Sequence, residues 1–225
     1  MFKKPFKLKS QVQLKSSEKK NFYIELKKRF PTIEDDELKM IFNNKDDIIK
    51  SKIVTFNEEN VEVYFIDKIP LFFDIIDANL RLPTVFCVNK LLSLLPALTT
   101  NSFVLQKLKN GADLFLPGVF VEGIVFNKQV FKRNDVAYVN LVDNKACFAV
   151  GQTLLTQEDI QDASHSGGKV LKVFHTVGDF LFKAHPSPTL LELGPPDWVG
   201  TYFIYSGGST IRAFGLPKNL PSVSF

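Results

Sequence analysis

The residues in this sequence that could carry covalent or metal chemistry are few, and their spacing does not suit it. His165, His175 and His185 stand near no spaced carboxylate or thiol motif, and Cys87 and Cys147 belong to no CxxC pair or Cys/His cluster. That spacing fits neither zinc nor a disulfide framework, and both thiols read as reduced, small core hydrophobes. GxSxG, HExxH, Walker A and GxGxxG motifs are absent, so no nucleophile, metal site or phosphate-cradling glycine loop is signalled. Asp35-Asp36-Glu37 groups three carboxylates, but in the first turn of a helix they complement its positive end and face water. Gly167-Gly168 lies between strand-like runs and reads as a turn. No enzyme, metal or cofactor is expected.

What remains is the chemistry of charge. Residues 1–29 carry ten basic side chains against two acidic ones, residues 34–77 carry five lysines against twelve acids, and the net charge over all 225 residues is +4. Lys3, Lys4, Lys7 and Lys9 open the basic segment; Lys107 and Lys109 lead into Asn110-Gly111-Ala112, and Arg133 precedes Asn134-Asp135. A cationic face on a nearly neutral protein fits a polyanion partner whose phosphates the lysines neutralise. It fits a solvated lysine-rich surface equally well. At Asn110-Gly111-Ala112 the small side chains let a phosphate or a base edge approach the backbone. The same glycine also suits a plain helix C-terminus.

The elements that must position these residues follow from periodicity. Phe6 to Lys9 alternates apolar and basic, a half-exposed strand that Gln11 to Lys15 continues. Ser16 or Ser17 caps a helix whose apolar stripe is Phe22, Leu26 and Phe30, ending at Pro31. Thr32 and Asp35 open a second helix with Leu38, Ile41 and Phe42 inward. Ile53–Phe56, Val61–Ile66 and Leu71–Ile76 read as strands, and Pro83–Leu95 as a helix stopped by Pro96. In the second half, Ser102 caps a helix over 103–109. Short strand-like runs follow at 113–116, 120–126, 129–131, 136–142, 146–155 and 170–175, with a Thr156-to-Asp159 helical turn among them. Many short strands with regular turn signals predict a small β-barrel. Prolines crowd the end, and 202–205 with 210–214 form one hairpin there, marginal by itself. The longest apolar run falls far short of the roughly 20 residues that span a bilayer.

Leu105 to Val119, with its helix, Gly111-Ala112 pair, apolar strand and Pro117-Gly118 turn, resembles the signature of PUA domains, RNA-binding pseudobarrels. Asp135-Val136, Ala149-Val150-Gly151, Thr156-Gln157-Glu158-Asp159-Ile160, Gly168 and His175 with Gly178-Asp179 agree with it. Phe182 stands where that family commonly has Trp, and Arg133-Asn134-Asp135 where it often has Lys-Gly-Asp. More narrowly, Phe6-Lys7-Leu8-Lys9-Ser10, Phe30-Pro31-Thr32, Pro83-Thr84-Val85-Phe86 and Leu94-Leu95-Pro96 are similar to the N-terminal part of the translation initiation factor 2D (ligatin) family. The malignant T-cell-amplified sequence protein shares its plan.

The resemblance implies an α+β chain. A small α/β pre-PUA domain over 1–95 precedes a PUA-type β-barrel over 96–185, with an irregular tail over 186–225. It implies a cytoplasmic, monomeric, non-enzymatic translation factor module that binds small-subunit rRNA and tRNA (initiator or deacylated) at the P site, in alternative modes of initiation or in recycling. No membrane partner is expected. An accessory RNA-binding domain working with a tRNA- or rRNA-modifying enzyme is the other reading, and an adaptor without RNA a third. The RNA-binding residues expected are Lys3, Lys4, Lys7, Lys9, Lys107, Lys109, Asn110, Gly111, Ala112 and Arg133.

Overall fold

The computed structural model describes residues 1–42, 47–120, 130–162 and 167–184, and the backbone of 191–192, 198–206 and 210–217. In the first half, β1 (Lys7–Gln13), β2 (Ile48–Val54), β3 (Asn60–Ile66), β4 (Ile69–Ile75) and β5 (Leu80–Pro83) lie side by side in chain order, all antiparallel. Asp67 and Lys68 both take positive φ in the tight β3–β4 turn, the twist that suits a two-residue hairpin. Helices α1 (Ser16–Arg29) and α2 (Asp35–Ile41) cross one face of this sheet and bury Phe22, Leu26, Phe30, Leu38 and Ile41, as their periodicity requires.

Local chemistry moves several boundaries. Lys15, not a serine, holds the cap position of α1, where its N–H donates to Glu18 Oε2 at 2.8 Å. Glu34, not Thr32, precedes α2, and its N–H donates to Glu37 Oε2 at 3.0 Å. Pro83 ends β5 rather than opening a helix. Thr84 caps the shorter α3 (Val85–Lys90), accepting from Cys87 N at 3.3 Å and donating to the Pro70 carbonyl at 2.6 Å. A 3₁₀ turn at Leu92–Leu94 follows, so the expected single helix is broken where Leu91, Leu94 and Leu95 are buried.

The second half builds a five-stranded sheet ordered β6 (Ala97–Thr100), β8 (Val136–Leu141), β9 (Ala149–Thr153), β10 (Lys169–Thr176) and β7 (Leu114–Phe115). Strand β6, unforeseen in the sequence, runs parallel to β8. Around the sheet lie α4 (Ser102–Lys109), α5 (Gln157–Gln161) and α6 (Phe180–Lys183). Asn101, not Ser102, caps α4 through Oδ1, which accepts from Val104 N at 2.9 Å; the Thr156–Asp159 cap of α5 is as expected. The strands expected over 120–126 and 129–131 fall largely on residues outside the described set, and Phe120, Val130 and Phe131 flank it outside any strand. In the tail, β12 (Trp198–Ser206) and β13 (Thr210–Pro217) form the expected hairpin, longer than foreseen. A third strand, β11 (Leu191–Glu192), pairs with β12.

Side-chain alternation along the second sheet divides the core. Leu98, Ala137, Val139 and Ala149 point into the barrel with Leu108, Leu114 and Leu171. Ala97, Tyr138, Phe148 and Val150 point the other way, into one apolar cluster with Phe73, Leu82, Val85 and Phe86 of the first domain. Phe182, in the position where PUA domains commonly have Trp, stacks on Phe86 with ring centroids 4.8 Å apart. Buried Asn89 clips the two domains together: its side-chain amide donates to the Val85 and Cys147 carbonyls and its Oδ1 accepts from Cys147 N at 2.8 Å. Cys87 and Cys147 are free and buried, and that burial pushes both thiols up, away from the reactive thiolate.

Candidate nucleic-acid interface

The ten residues expected to touch RNA do not form one surface. Lys7 and Lys9 are exposed on β1, the free edge of the first sheet, where the pairing shifts between Leu8 and Ser10 and leaves Lys9 at a bulge. Lys4 bends toward the β2–β3 turn and sets its Nζ 3.7 Å from the centroid of the Phe56 ring. Arg133 is exposed on the turn before β8. Lys3 goes elsewhere, to Gly111 and Lys109 where α4 ends; Lys107 lies on the last turn of that helix and Asn110 and Ala112 flank the glycine.

That loop is built by its own backbone. Gly111 takes φ +89° and donates its N–H to the Leu108 carbonyl at 2.8 Å, while Ala112 N reaches the Lys107 carbonyl at 3.0 Å. Only a residue without a Cβ sits easily at that φ. Asp113 then ties the loop to β10: Oδ1 accepts from Val173 N at 2.9 Å and Oδ2 pairs with Lys169 at 2.7 Å. Nothing in the sequence marked Asp113, since a lone carboxylate after a glycine carries no spacing signal.

The space expected to stand open beside Gly111 is filled by Lys3, whose side chain lies across the glycine where a Cβ would be. Lys3 is held there by its neighbour. Phe2 is 1% exposed, its carbonyl accepts from Phe180 N at 2.9 Å, and its ring meets Phe73 and His175 edge-on. His175, expected to have no carboxylate near, lies with Nδ1 2.8 Å from Asp179 Oδ2; Gly178, at φ +91°, turns the chain so that they meet. Asp179 also accepts from Thr176 N and Phe182 N, capping α6. In sequence the His175…Gly178-Asp179 motif is a family landmark; in the structure it seats the N-terminal strap, a role that only contacts distant in sequence reveal.

The two loop lysines differ. Lys107 is exposed, its Nζ 4.5 Å from the Phe103 ring centroid. Lys109 is half-buried, and burial lowers its pKa. Burial likewise lowers the Met1 amine, against the attraction of Asp179. Among the described residues no carboxylate lies within ion-pair distance of Lys3, Lys107 or Lys109, whereas Lys27 pairs with Asp35 and Lys50 and Lys52 share Glu62. Lys3, Lys107 and Lys109 therefore bring positive charge without a carboxylate partner to the neighbourhood of Gly111. Among the described residues no helix is long and apolar enough to cross a membrane, and no cluster of three His, Cys, Asp or Glu is placed to hold a metal.

Known proteins resemble the chain in the same two pieces. Residues 2–91 match the Pre-PUA-like domain model, and residues 95–180 match the model described as eIF2D, PUA domain. Eukaryotic translation initiation factor 2D of Rattus norvegicus is 32% identical over 200 residues, which is 88% of this chain and 34% of that protein. The Homo sapiens protein of that name is 29% identical over 184 residues, 82% of this chain and 31% of that one. The chain thus spans about a third of the length of these relatives. Among solved structures, a PUA-domain protein from Aeropyrum pernix K1 in a tartrate complex superposes with TM-score 0.61 at 21% identity, covering 79% of this chain and 90% of that one. A hypothetical protein from Pyrococcus horikoshii OT3 gives 0.59 at 19%, covering 78% and 99%.

Proposed function

Since this chain is a pre-PUA and PUA pair of the translation initiation factor 2D type, we propose that it works as a non-enzymatic RNA-binding module of translation initiation. In this reading it binds the small ribosomal subunit in the cytoplasm and helps deliver or release tRNA at the P site. The observation that carries it is the meeting of Lys3 from the first domain with Gly111 and Lys109 of the PUA domain, both lysines without a carboxylate partner among the described residues, with Lys107 on the same last turn of α4. Folded RNA is gripped through shape, phosphates and 2′-hydroxyls, and a loop braced by its own backbone hydrogen bonds, with lysines from two domains beside it, offers donors close together. Lys4, Lys7 and Lys9 extend the positive field along the first sheet; Asn110 and Ala112 leave the loop backbone accessible.

The test is a binding titration with small subunits carrying tRNA. Lys3→Glu with Lys107→Glu reverses two exposed charges, and a thermal melt of the variant separates any folding cost from lost binding. Binding is expected to weaken and its salt dependence to flatten by about 0.7–0.9 log units per lost phosphate contact. An unchanged slope makes the loop a structural cap. Co-sedimentation with free tRNA and a modifying enzyme, but not with subunits, would favour the accessory-domain reading.

A further inference from the structure

Between the end of α1 and the start of β8 runs a cleft of about 510 Å³, and neither domain makes it alone. Lys28 and Arg29 line it from the first domain and Asn134 and Asp135 from the second, with Leu94 and Val136 among the apolar residues between. Among the described residues no carboxylate lies within ion-pair distance of Lys28 or Arg29; Arg29 Nη2 donates to the Asn79 carbonyl at 3.1 Å. Exposed Lys132 and Arg133 lead into the opposite wall. Asp135 is the acidic residue lining the cleft, and its Oδ2 is taken by the backbone N–H of Lys132 at 2.7 Å.

We infer that this cleft takes one nucleotide of a single-stranded RNA segment, its phosphate on Lys28 and Arg29 and its base against the apolar lining. A cavity of roughly 300–1,000 Å³ at a domain junction is a usual place for a small ligand, and polar and apolar surface line this one in equal measure. Unpaired cations on its wall select an anion, and a nucleotide joins an anion to a flat body that fills the remainder. Bases of single strands are free to enter such a cleft, as those of a duplex are not. The inference rests on the RNA-binding reading above, yet the cleft and the Gly111 loop share no lining residue, so the two fail separately.

The experiment uses the full chain, a short oligoribonucleotide of mixed sequence, and methyl NMR of Leu94 and Val136. Lys28→Glu with Arg29→Glu is expected to lower oligonucleotide affinity by at least about tenfold and flatten the salt slope by about 0.7 per phosphate contact. Both methyl shifts should vanish, while the melting temperature falls by a few degrees, as two acids in the last turn of α1 and the lost Arg29–Asn79 hydrogen bond require, and the fold is retained. Val130→Trp, at a lining residue 69% exposed, is expected to block the cleft without touching the core. Lys107→Glu should leave these shifts in place. Unshifted methyls, or full affinity in the double reversal, overturn the inference, and so does adenosine monophosphate that binds as tightly as the oligonucleotide.

Discussion

Lys109 shows how a single residue here trades stability for charge. Its folded pKa is lowered by burial, so at neutral pH the charged form costs folding energy. Between that lowered value and the unfolded lysine value of about 10.4, the unfolded chain binds more protons, and stability contributed at this site rises with pH. Lys109→Met is therefore expected to raise the melting temperature at pH 7, with the gain shrinking as pH climbs past the lowered value. A gain that is constant with pH in thermal scans would mean that the charge is not what costs. Keeping a half-buried, unpaired cation beside Gly111 makes sense if an anion visits that loop.

At the scale of elements, the turn after α4 and the strap that crosses it behave as one unit. Gly111→Ala meets two obstacles, the positive φ, worth about 1–2 kcal/mol, and the Lys3 side chain lying where the new methyl would go. In a Lys3→Ala background the second obstacle is gone and the first remains. Chemical denaturation of the two single variants and the double is expected to give a smaller cost for Gly111→Ala in that background; strict additivity would mean the strap and the loop do not touch. The sequence made much of this legible. The Asn110-Gly111 stop, the Thr156 cap and the Phe22–Leu26–Phe30 stripe depend on neighbours in the chain, and local pattern finds them. Strand β6 did not show, because four residues paired in parallel with β8 carry no turn signal and take their identity from a partner distant in sequence. Pro83 misled for a similar reason: a proline before an apolar run suits a helix start and the end of an edge strand alike. The shared position of Lys3 and Gly111 was invisible, since no periodicity relates residues so far apart.

Across the whole molecule, the apolar cluster that holds Phe2, Phe73, Phe86 and Phe182 belongs to both domains, and Asn89 adds buried hydrogen bonds over the same joint. Phe2→Ala is expected to cost about 3–5 kcal/mol, as large core truncations do, and to loosen both domains together. A single cooperative transition followed by two probes, one in each domain, checks this; separate melting of the halves would show that the joint is weak. The strap also carries a consequence for how the molecule is made. The meander β1 to β5 pairs only neighbours in the chain and is complete once the first 83 residues exist. Phe2 takes its carbonyl partner from Phe180 and rests its ring on His175. Domains fold as they leave the ribosome, the N-terminal one first, so the opening segment, although synthesised first, is among the last to settle. During the interval the Phe73 side of the nascent sheet lacks its cover and is the surface on which a chaperone, or a misfolding encounter, would act.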